Sequence, residues 1–330
     1  MNAFRVLQKK IESAYNRIEA RIIILLYHRI CDAPTRTAVA PENFSQQLEY
    51  LGRNDLVISL ERLVAGLRTG NLPRKAVVIT FDDGYADNLK AGLPLLEEYE
   101  CPATVFVSSQ FVGDKKGFWW DRLRQFGAGI GGCPADMEPS AGLKRSIFSV
   151  ITRSVGERMP VEKDEVQRRL QESVVPLPRL EREELFREIE ARFGIDCCCA
   201  EDDQPLSSEE LSRMAESGLI EIGSHTRSHT ALTALSEKEQ VAEIYGSKSD
   251  LEAIIGAPVK SFSYPFGFPE SDYPVDSIDI VRQGGYELAC SAFPGAVGRR
   301  SDMFQLPRCW VNDWSGDEFA RRLGKWFLYS

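Results

Sequence analysis

The sequence predicts an α/β fold: a parallel sheet interrupted by a helical insertion. Three observations carry that prediction. The strong apolar runs are continuous rather than alternating, the pattern of strands buried on both faces. Helical segments with recognisable start and stop signals lie between the runs. Between about residues 114 and 205 the strand pattern disappears, and charged, helix-spaced sequence replaces it. The chain has 330 residues, 43% hydrophobic and 27% charged. That is an ordinary globular balance, which excludes disorder, collagen and coiled coil. The length suggests about two units, although an α/β barrel reaches it as one.

Taken in order, residues 4–22 carry Phe4, Leu7, Ile11, Ala14, Ile18 and Ile22 three or four apart, so an amphipathic helix is expected over 1–20. Strands are expected at 22–27, 76–81 and 104–107. The insertion begins with a Gly- and Pro-rich stretch at 127–139. A charged stretch at 157–192 follows, with Leu185, Ile189 and Phe193 at helical spacing. Ser207, with Glu210 three residues on and Gly218 beyond, reads as a capping box and a glycine stop. A strand at 219–222 comes next. Ser236 and Glu239 open a second helix, striped by Val241, Ile244, Leu251, Ile254 and Ile255 and ended by Gly256 and Pro258. Strands at 261–264 and 288–291 complete the pattern. The expected division is a helix at 1–20, the first part of an α/β domain at 21–113, an insertion at 114–205 and the second part at 206–330. Alternating strands and helices leave open whether the parallel sheet is flat or closed.

The formal net charge is −9, without the basic footprint of a nucleic-acid binder. No apolar run approaches the ~18 residues of a membrane span. Glu12, Arg17, Glu19 and Arg21 interrupt any signal-peptide core, so a cytoplasmic location is expected. The eight cysteines include three in a row, Cys197, Cys198 and Cys199, and no C-x-x-C pair; reduced thiols are expected and a zinc knuckle is not. Both ends are basic and apolar. Arg5, Lys9, Lys10, Arg17 and Arg21 lie near one, and Arg321, Arg322 and Lys325 stand among Phe319, Trp326, Phe327 and Tyr329 at the other. Such segments are read first as helices packed on the sheet; peripheral contact with the inner face of a membrane is the alternative they allow.

The polar residues of interest follow strands. His28 follows the first, and Asp82 and Asp83 follow the second. His225 comes just after 219–222, and Tyr264-Pro265-Phe266-Gly267 ends another. Sites in α/β folds are built at these C-terminal ends. Adjacent side chains at a strand end point different ways, so one carboxylate of Asp82-Asp83 can bind a metal while the other meets its water. A plain Asp-Gly turn is the alternative. His225 and His229 are four residues apart and can converge on one ion. Two histidines and a carboxylate are a common catalytic zinc set with an open position for water. These two plus His28 are the three histidines of the chain.

Thr80-Phe81-Asp82-Asp83-Gly84 resembles the first motif of the polysaccharide deacetylases with the NodB-homology domain, carbohydrate esterase family 4. His225-Thr226-Arg227-Ser228-His229 resembles its second motif, and Tyr264-Pro265-Phe266-Gly267 its third. The resemblance covers about 21–113 and 206–311. It implies a distorted (β/α)7-type barrel with a helical insertion. It also implies that Asp83, His225 and His229 bind a divalent metal, Zn²⁺ by default. Asp82 is then the general base, and the Phe266 amide helps to bind the oxyanion. Two departures stand out. Ser263 occupies the place of the third-motif arginine that normally holds the base, and Arg308, expected just after a strand, is the substitute. No histidine follows His229 to serve as the acid. Leu26-Tyr27-His28-Arg29 instead resembles the early signature of the permuted biofilm-polysaccharide deacetylase branch, which gives that role to His28. The implied reaction is metal-dependent removal of N-acetyl groups from amino sugars in a polysaccharide or lipid-linked glycan. A deformylase, another N-acyl amidase and a non-catalytic glycan-binding relative are the alternatives. Trp119 and Trp120 either stack on sugar or pack the insertion.

Overall fold

A computed structural model describes residues 20–33, 36–129, 172–177, 179–193 and 203–329. Nine strands occur among them: β1 (Arg21–Tyr27), β2 (Arg29–Ile30), β3 (Ala38–Val39), β4 (Lys75–Phe81), β5 (Ala103–Val107), β6 (Ile220–Ser224), β7 (Ser261–Ser263), β8 (Leu288–Cys290) and β9 (Cys309–Trp310). Seven form one sheet in the order β8-β7-β6-β5-β4-β1-β9. Every pairing in it is parallel. The six strands expected from apolar runs are all present, with ends moved by one or two residues. The two-residue strand β9 and the small β2–β3 ladder were not expected.

The sheet is curled into a half-barrel. Ile23, Leu25 and Tyr27 of β1 share a core with Phe44, Leu48 and Leu51 of α1 (Pro41–Arg53). The alternate residues Ile22 and Ile24 join Ala76, Val78, Phe106, Leu288 and Cys290 in a second core. β1 and β8 lie near opposite ends of the strand order, so a shared core requires strong curvature. The segment between β8 and β9 bridges the remaining gap. Val297 exchanges backbone hydrogen bonds with Ile22 at 2.9 and 2.8 Å, while Leu306 donates to Ala289 and accepts from Ser291 at 2.9 and 2.8 Å.

Helices cover the outer face: α2 (Leu60–Thr69), α3 (Leu93–Glu98), then, after the insertion, α6 (Ser208–Glu216), α7 (Glu237–Ile255), α8 (Val275–Gln283) and α9 (Gly316–Tyr329). The capping box of α6 forms as expected: Glu210 N donates to Ser207 Oγ at 3.2 Å, and Ser207 N to Glu210 Oε2 at 2.9 Å. In α7 Glu239 reaches back to Ser236 N at 2.8 Å, and Gly256 stops the helix at φ 67°. Within the insertion, α4 (Trp119–Gly129) and α5 (Arg179–Phe193) are helical. They are joined by Arg122, which donates to Glu183 at 2.9 Å and lies 4.1 Å over the Phe186 ring.

One expectation is corrected and one alternative is set aside. Arg308 does not follow a strand but immediately precedes β9, whose Cys309 pairs with Leu25 of β1. The apolar face of α9 is not free for a membrane: Phe319, Leu323 and Phe327 are buried, and the helix packs on α1 and β1. Closing the core is a nearer use for that face than lipid. The expected helix at 1–20 and Cys197–Cys199 lie outside the described residues. Among the described residues no helix is long and apolar enough to cross a membrane.

Candidate active site

The strand ends deliver the candidate residues to one place. β4 runs in register beside β1, and Asp82 N still donates to Tyr27 O at 3.0 Å. The chain then turns, with Asp83 at φ 77° and Gly84 at φ 89°. Two strands away in the sheet order, His225 N donates to Val107 O at 3.0 Å as β6 ends. Thr226 (φ 59°), His229 (φ 50°) and Phe266 (φ 60°) also occupy the left-handed region. Such conformations are costly for residues with a Cβ and gather at functional sites. Here four of the seven non-glycine examples among the described residues sit in or beside the expected motifs.

Asp83, His225 and His229 form a group whose ligand atoms all lie within 4.8 Å of one another. Asp83 Oδ1 is 3.7 Å from His225 Nε2 and 3.4 Å from His229 Nε2. A tetrahedral ion with bonds of about 2.1 Å sets its ligand atoms roughly 3.4 Å apart. His225 Nδ1 lies 2.7 Å from the Ser263 carbonyl oxygen. A carbonyl only accepts, so Nδ1 carries the proton and Nε2 offers a lone pair. Asp83 Oδ1 and His229 Nδ1 are buried without a hydrogen-bond partner. Burial, and then the neighbouring Asp82 and Asp121 carboxylates, push the Asp83 carboxyl well above the usual range. Burial, followed by His225 and Arg182, holds His229 well below its usual value. Neutral imidazoles around a carboxyl whose Oδ1 has no hydrogen-bond partner among the described residues fit a divalent ion, which would relieve both.

Asp82 has the opposite surroundings. Arg308 donates through Nη1 to Oδ1 and through Nη2 to Oδ2, both at 2.7 Å. The same guanidinium donates to Thr80 Oγ1 at 3.3 Å, to Ser263 Oγ at 2.8 Å and, through Nε, to the Ser291 carbonyl at 2.8 Å. All five donors are used, as a buried arginine requires. Burial pushes the Asp82 carboxyl up, but Arg308, then His225, more than offset it and hold it well below the usual range. The serine at 263 now has a physical reading. A small hydroxyl leaves room for a guanidinium arriving from β9, and Ser263 Oγ also contacts Asp82 Oδ2 at 3.4 Å.

His28 is half-buried at the end of β1, its ring 4.8 Å from that of Trp310. Asn88 Nδ2 holds its carbonyl at 2.8 Å. Burial lowers its pKa to about 4, with Asp82 opposing and Arg308 and His225 assisting. The ring therefore rests neutral at pH 7. The Phe266 ring lies 4.8 Å from His229. The Phe266 amide N–H makes no hydrogen bond to the described residues and is free for another acceptor.

Trp120, which the sequence singled out, adjoins this group together with several residues that had no local signal. Trp120 stands 4.6 Å from the His229 ring; its Nε1 donates to Tyr85 Oη at 2.6 Å, and Tyr85 Oη donates to Asp121 at 2.7 Å. Trp119 is buried, and the Trp120 ring stacks on Phe118 at 4.8 Å, so both tryptophans pack within the fold. Glu243 and Arg182 hold the 225–229 loop from two sides. Both lie far from it in sequence. Only the assembled fold reveals the contacts.

The sequence model of a family described as polysaccharide deacetylase matches residues 69–131 and 184–289. A Bacillus subtilis (strain 168) protein named as a polysaccharide deacetylase, YxkH, is 22% identical over 91% of this chain and 75% of its own length. The poly-beta-1,6-N-acetyl-D-glucosamine N-deacetylase of Staphylococcus aureus is 18% identical over 88% of this chain and 72% of its own length. Among solved structures, the Streptococcus pyogenes deacetylase PplD superposes with a TM-score of 0.60 at 18% identity, covering 92% of this chain and 99% of that one. IcaB from Ammonifex degensii gives 0.59 at 19%, covering 93% and 97%. These structures share the fold, a curled parallel barrel with outer helices. With its motif residues gathered at the strand ends and the family match spanning both halves of the barrel, the chain belongs to the polysaccharide deacetylase family.

Proposed function

We propose that this chain hydrolyses N-acetyl groups from the amino sugars of a glycan, releasing acetate, with Asp83, His225 and His229 holding a zinc ion. One observation carries the reading: adjacent carboxylates in opposite electrostatic settings. Asp82 is kept ionised by the Arg308 fork, and Asp83 faces two imidazole nitrogens with its Oδ1 unpartnered among the described residues. The S. aureus relative, by its name, supports an N-acetylglucosamine polymer as substrate. Two imidazoles and a carboxylate suit zinc and leave a position open.

When bound, the ion acidifies water and polarises the acyl oxygen. The chain's own groups do the rest. The Asp82 carboxylate accepts the proton of the attacking water. The Phe266 amide N–H donates to the acyl oxygen as charge develops there. His28 gives a proton to the departing amine; without it the tetrahedral adduct collapses back to the amide. Because the ring rests neutral, the proton it delivers is the one Asp82 first accepts from the attacking water, and the Asp82 charge raises the ring's affinity for it.

The test is acetate release from short N-acetylglucosamine oligomers by the zinc-loaded full chain, against Asp82→Asn. Both proteins should bind one ion, and the variant should lose at least about 10²-fold in turnover. No bound ion, or equal release by the variant, overturns the reading. Preference for N-formyl over N-acetyl oligomers replaces it with the deformylase.

A further inference from the structure

The loop carrying His229 is strained, with Thr226 and His229 both left-handed, and something must hold it. On one side stands Glu243 of α7. Its Oε2 accepts from Arg227 N at 2.9 Å and Ser228 N at 2.8 Å, and its Oε1 accepts from Ser228 Oγ at 2.8 Å. On the other side stands Arg182 of α5, 1% exposed. Its Nη2 donates to the Ser228 carbonyl at 2.9 Å and to Thr230 Oγ1 at 2.8 Å. Those acceptors belong to the residues immediately before and after His229.

The hydroxyls join the two charges. Ser228 Oγ and Thr230 Oγ1 are 2.8 Å apart. Since Ser228 must donate to the carboxylate, Thr230 must donate to Ser228. One directed chain therefore runs from the Arg182 guanidinium through Thr230 and Ser228 to the Glu243 carboxylate, and it crosses the loop at His229. Chains of this kind polarise along their length and stiffen what they cross. The insertion also adds packing. Trp119 lies beneath the Arg182 guanidinium at 4.9 Å, and the Trp120 ring meets His229 at 4.6 Å.

We infer that the insertion is a clamp on the metal-binding loop, and that Arg182 is a positioning residue that holds His229 in its ligating pose. The inference rests on the reading of Asp83, His225 and His229 as metal ligands. It gives the insertion a task within the barrel's own chemistry. A cation placed near a metal site is unfavourable by itself, and Glu243 across the loop offsets it. Arg182 also keeps Nη1 buried without a partner, so its place is set by what Nη2 holds rather than by its own full satisfaction.

The experiment measures Zn²⁺ affinity of the full chain by competition with a chromophoric chelator, and the unfolding midpoint of the metal-free protein. Arg182→Ala should weaken Zn²⁺ binding about 10- to 100-fold, the range for residues that orient ligands. Thr230→Val, which removes the acceptor for Arg182 and the donor to Ser228 at similar volume but leaves the bond from Arg182 to the Ser228 carbonyl, should weaken it less. Arg182→Lys, which keeps the charge but not the geometry, should fall between wild type and alanine. A merely structural arginine would lower the metal-free midpoint and leave the Zn²⁺ affinity of the folded protein unchanged. Affinity within twofold of wild type in folded Arg182→Ala overturns the inference. Should that variant not fold, wild-type affinity in Thr230→Val overturns it equally. Asp83→Asn separates this failure from failure of the functional reading. If wild type binds no Zn²⁺, or Asp83→Asn binds it as well, the ligand assignment fails. If only the Arg182 and Thr230 variants match wild type, the clamp alone fails.

Discussion

Replacing Arg308 with alanine removes a guanidinium that spends every donor inside the protein: two on Asp82 and one each on Thr80, Ser263 and Ser291. What remains is a carboxylate only 4% exposed, with no cation in its place. Taking one partner from a buried ion pair costs about 3–5 kcal/mol. That loss should appear in urea unfolding of the metal-free protein at pH 7.5, and its pH dependence identifies its origin. In the wild type the folded Asp82 pKa is depressed. Its contribution is therefore present above the unfolded value, about 3.9, and is lost as pH falls through the folded one. In the variant, burial acts without Arg308 and the folded pKa lies above 3.9. Stability then declines as pH rises through that window. The gap between the two proteins should be larger at pH 7.5 than at pH 4.5. Turnover should fall by about 10²–10⁴, with little change in KM, and the acid limb of the pH profile should move upward. A variant within about 1 kcal/mol of wild type at pH 7.5, or a penalty that does not shrink at pH 4.5, would refute the reasoning.

His28→Ala should retain the bound ion in a metal assay and lose about 10²–10⁴ in turnover; unchanged turnover rules out its part in proton delivery. Leu323→Ala, on the buried face of α9, should cost about 2–5 kcal/mol in urea unfolding. Arg321→Glu should leave co-sedimentation with anionic vesicles as in wild type, because that helix already spends its apolar face on the core. Ser207→Ala should cost about 1 kcal/mol through loss of the α6 cap, with acetate release unaffected.

The strands were legible because parallel strands buried on both faces must be continuously apolar. Residues 22–27 and 76–81 show this and become β1 and β4 almost unchanged. The histidines and the aspartate pair were legible because they follow such runs directly. β9 was not. Two residues, Cys309 and Trp310, carry no periodicity, and their pairing exists only because the 291–308 segment closes the sheet. Arg308 was singled out by the absence of an arginine at 263, yet its side of β9 was misjudged for the same reason. Arg182 and Glu243 had no local mark at all. Each looks like one charge among many on a helix; the Arg182 bonds to Ser228 and Thr230 depend on how the insertion docks, and the Glu243 bond to Ser228 on how α7 packs beside the loop. For α9 the structure favours packing over the membrane alternative, which sequence alone left open: a basic helix with one apolar face reads alike whether that face meets lipid or protein.

The Arg308–Asp82 fork also bears on how the protein comes into being. Asp82 and its partner are separated by 226 positions, and chains emerge from the ribosome N-terminal end first. Until Arg308 arrives, an aspartate beside β1, β4 and β5 lacks the two-point guanidinium contact it has in the finished fold. A nascent or interrupted chain can thus own both aspartates and all three histidines and still lack the arginine that pairs with Asp82. The long separation places this contact among the slow, late events of folding.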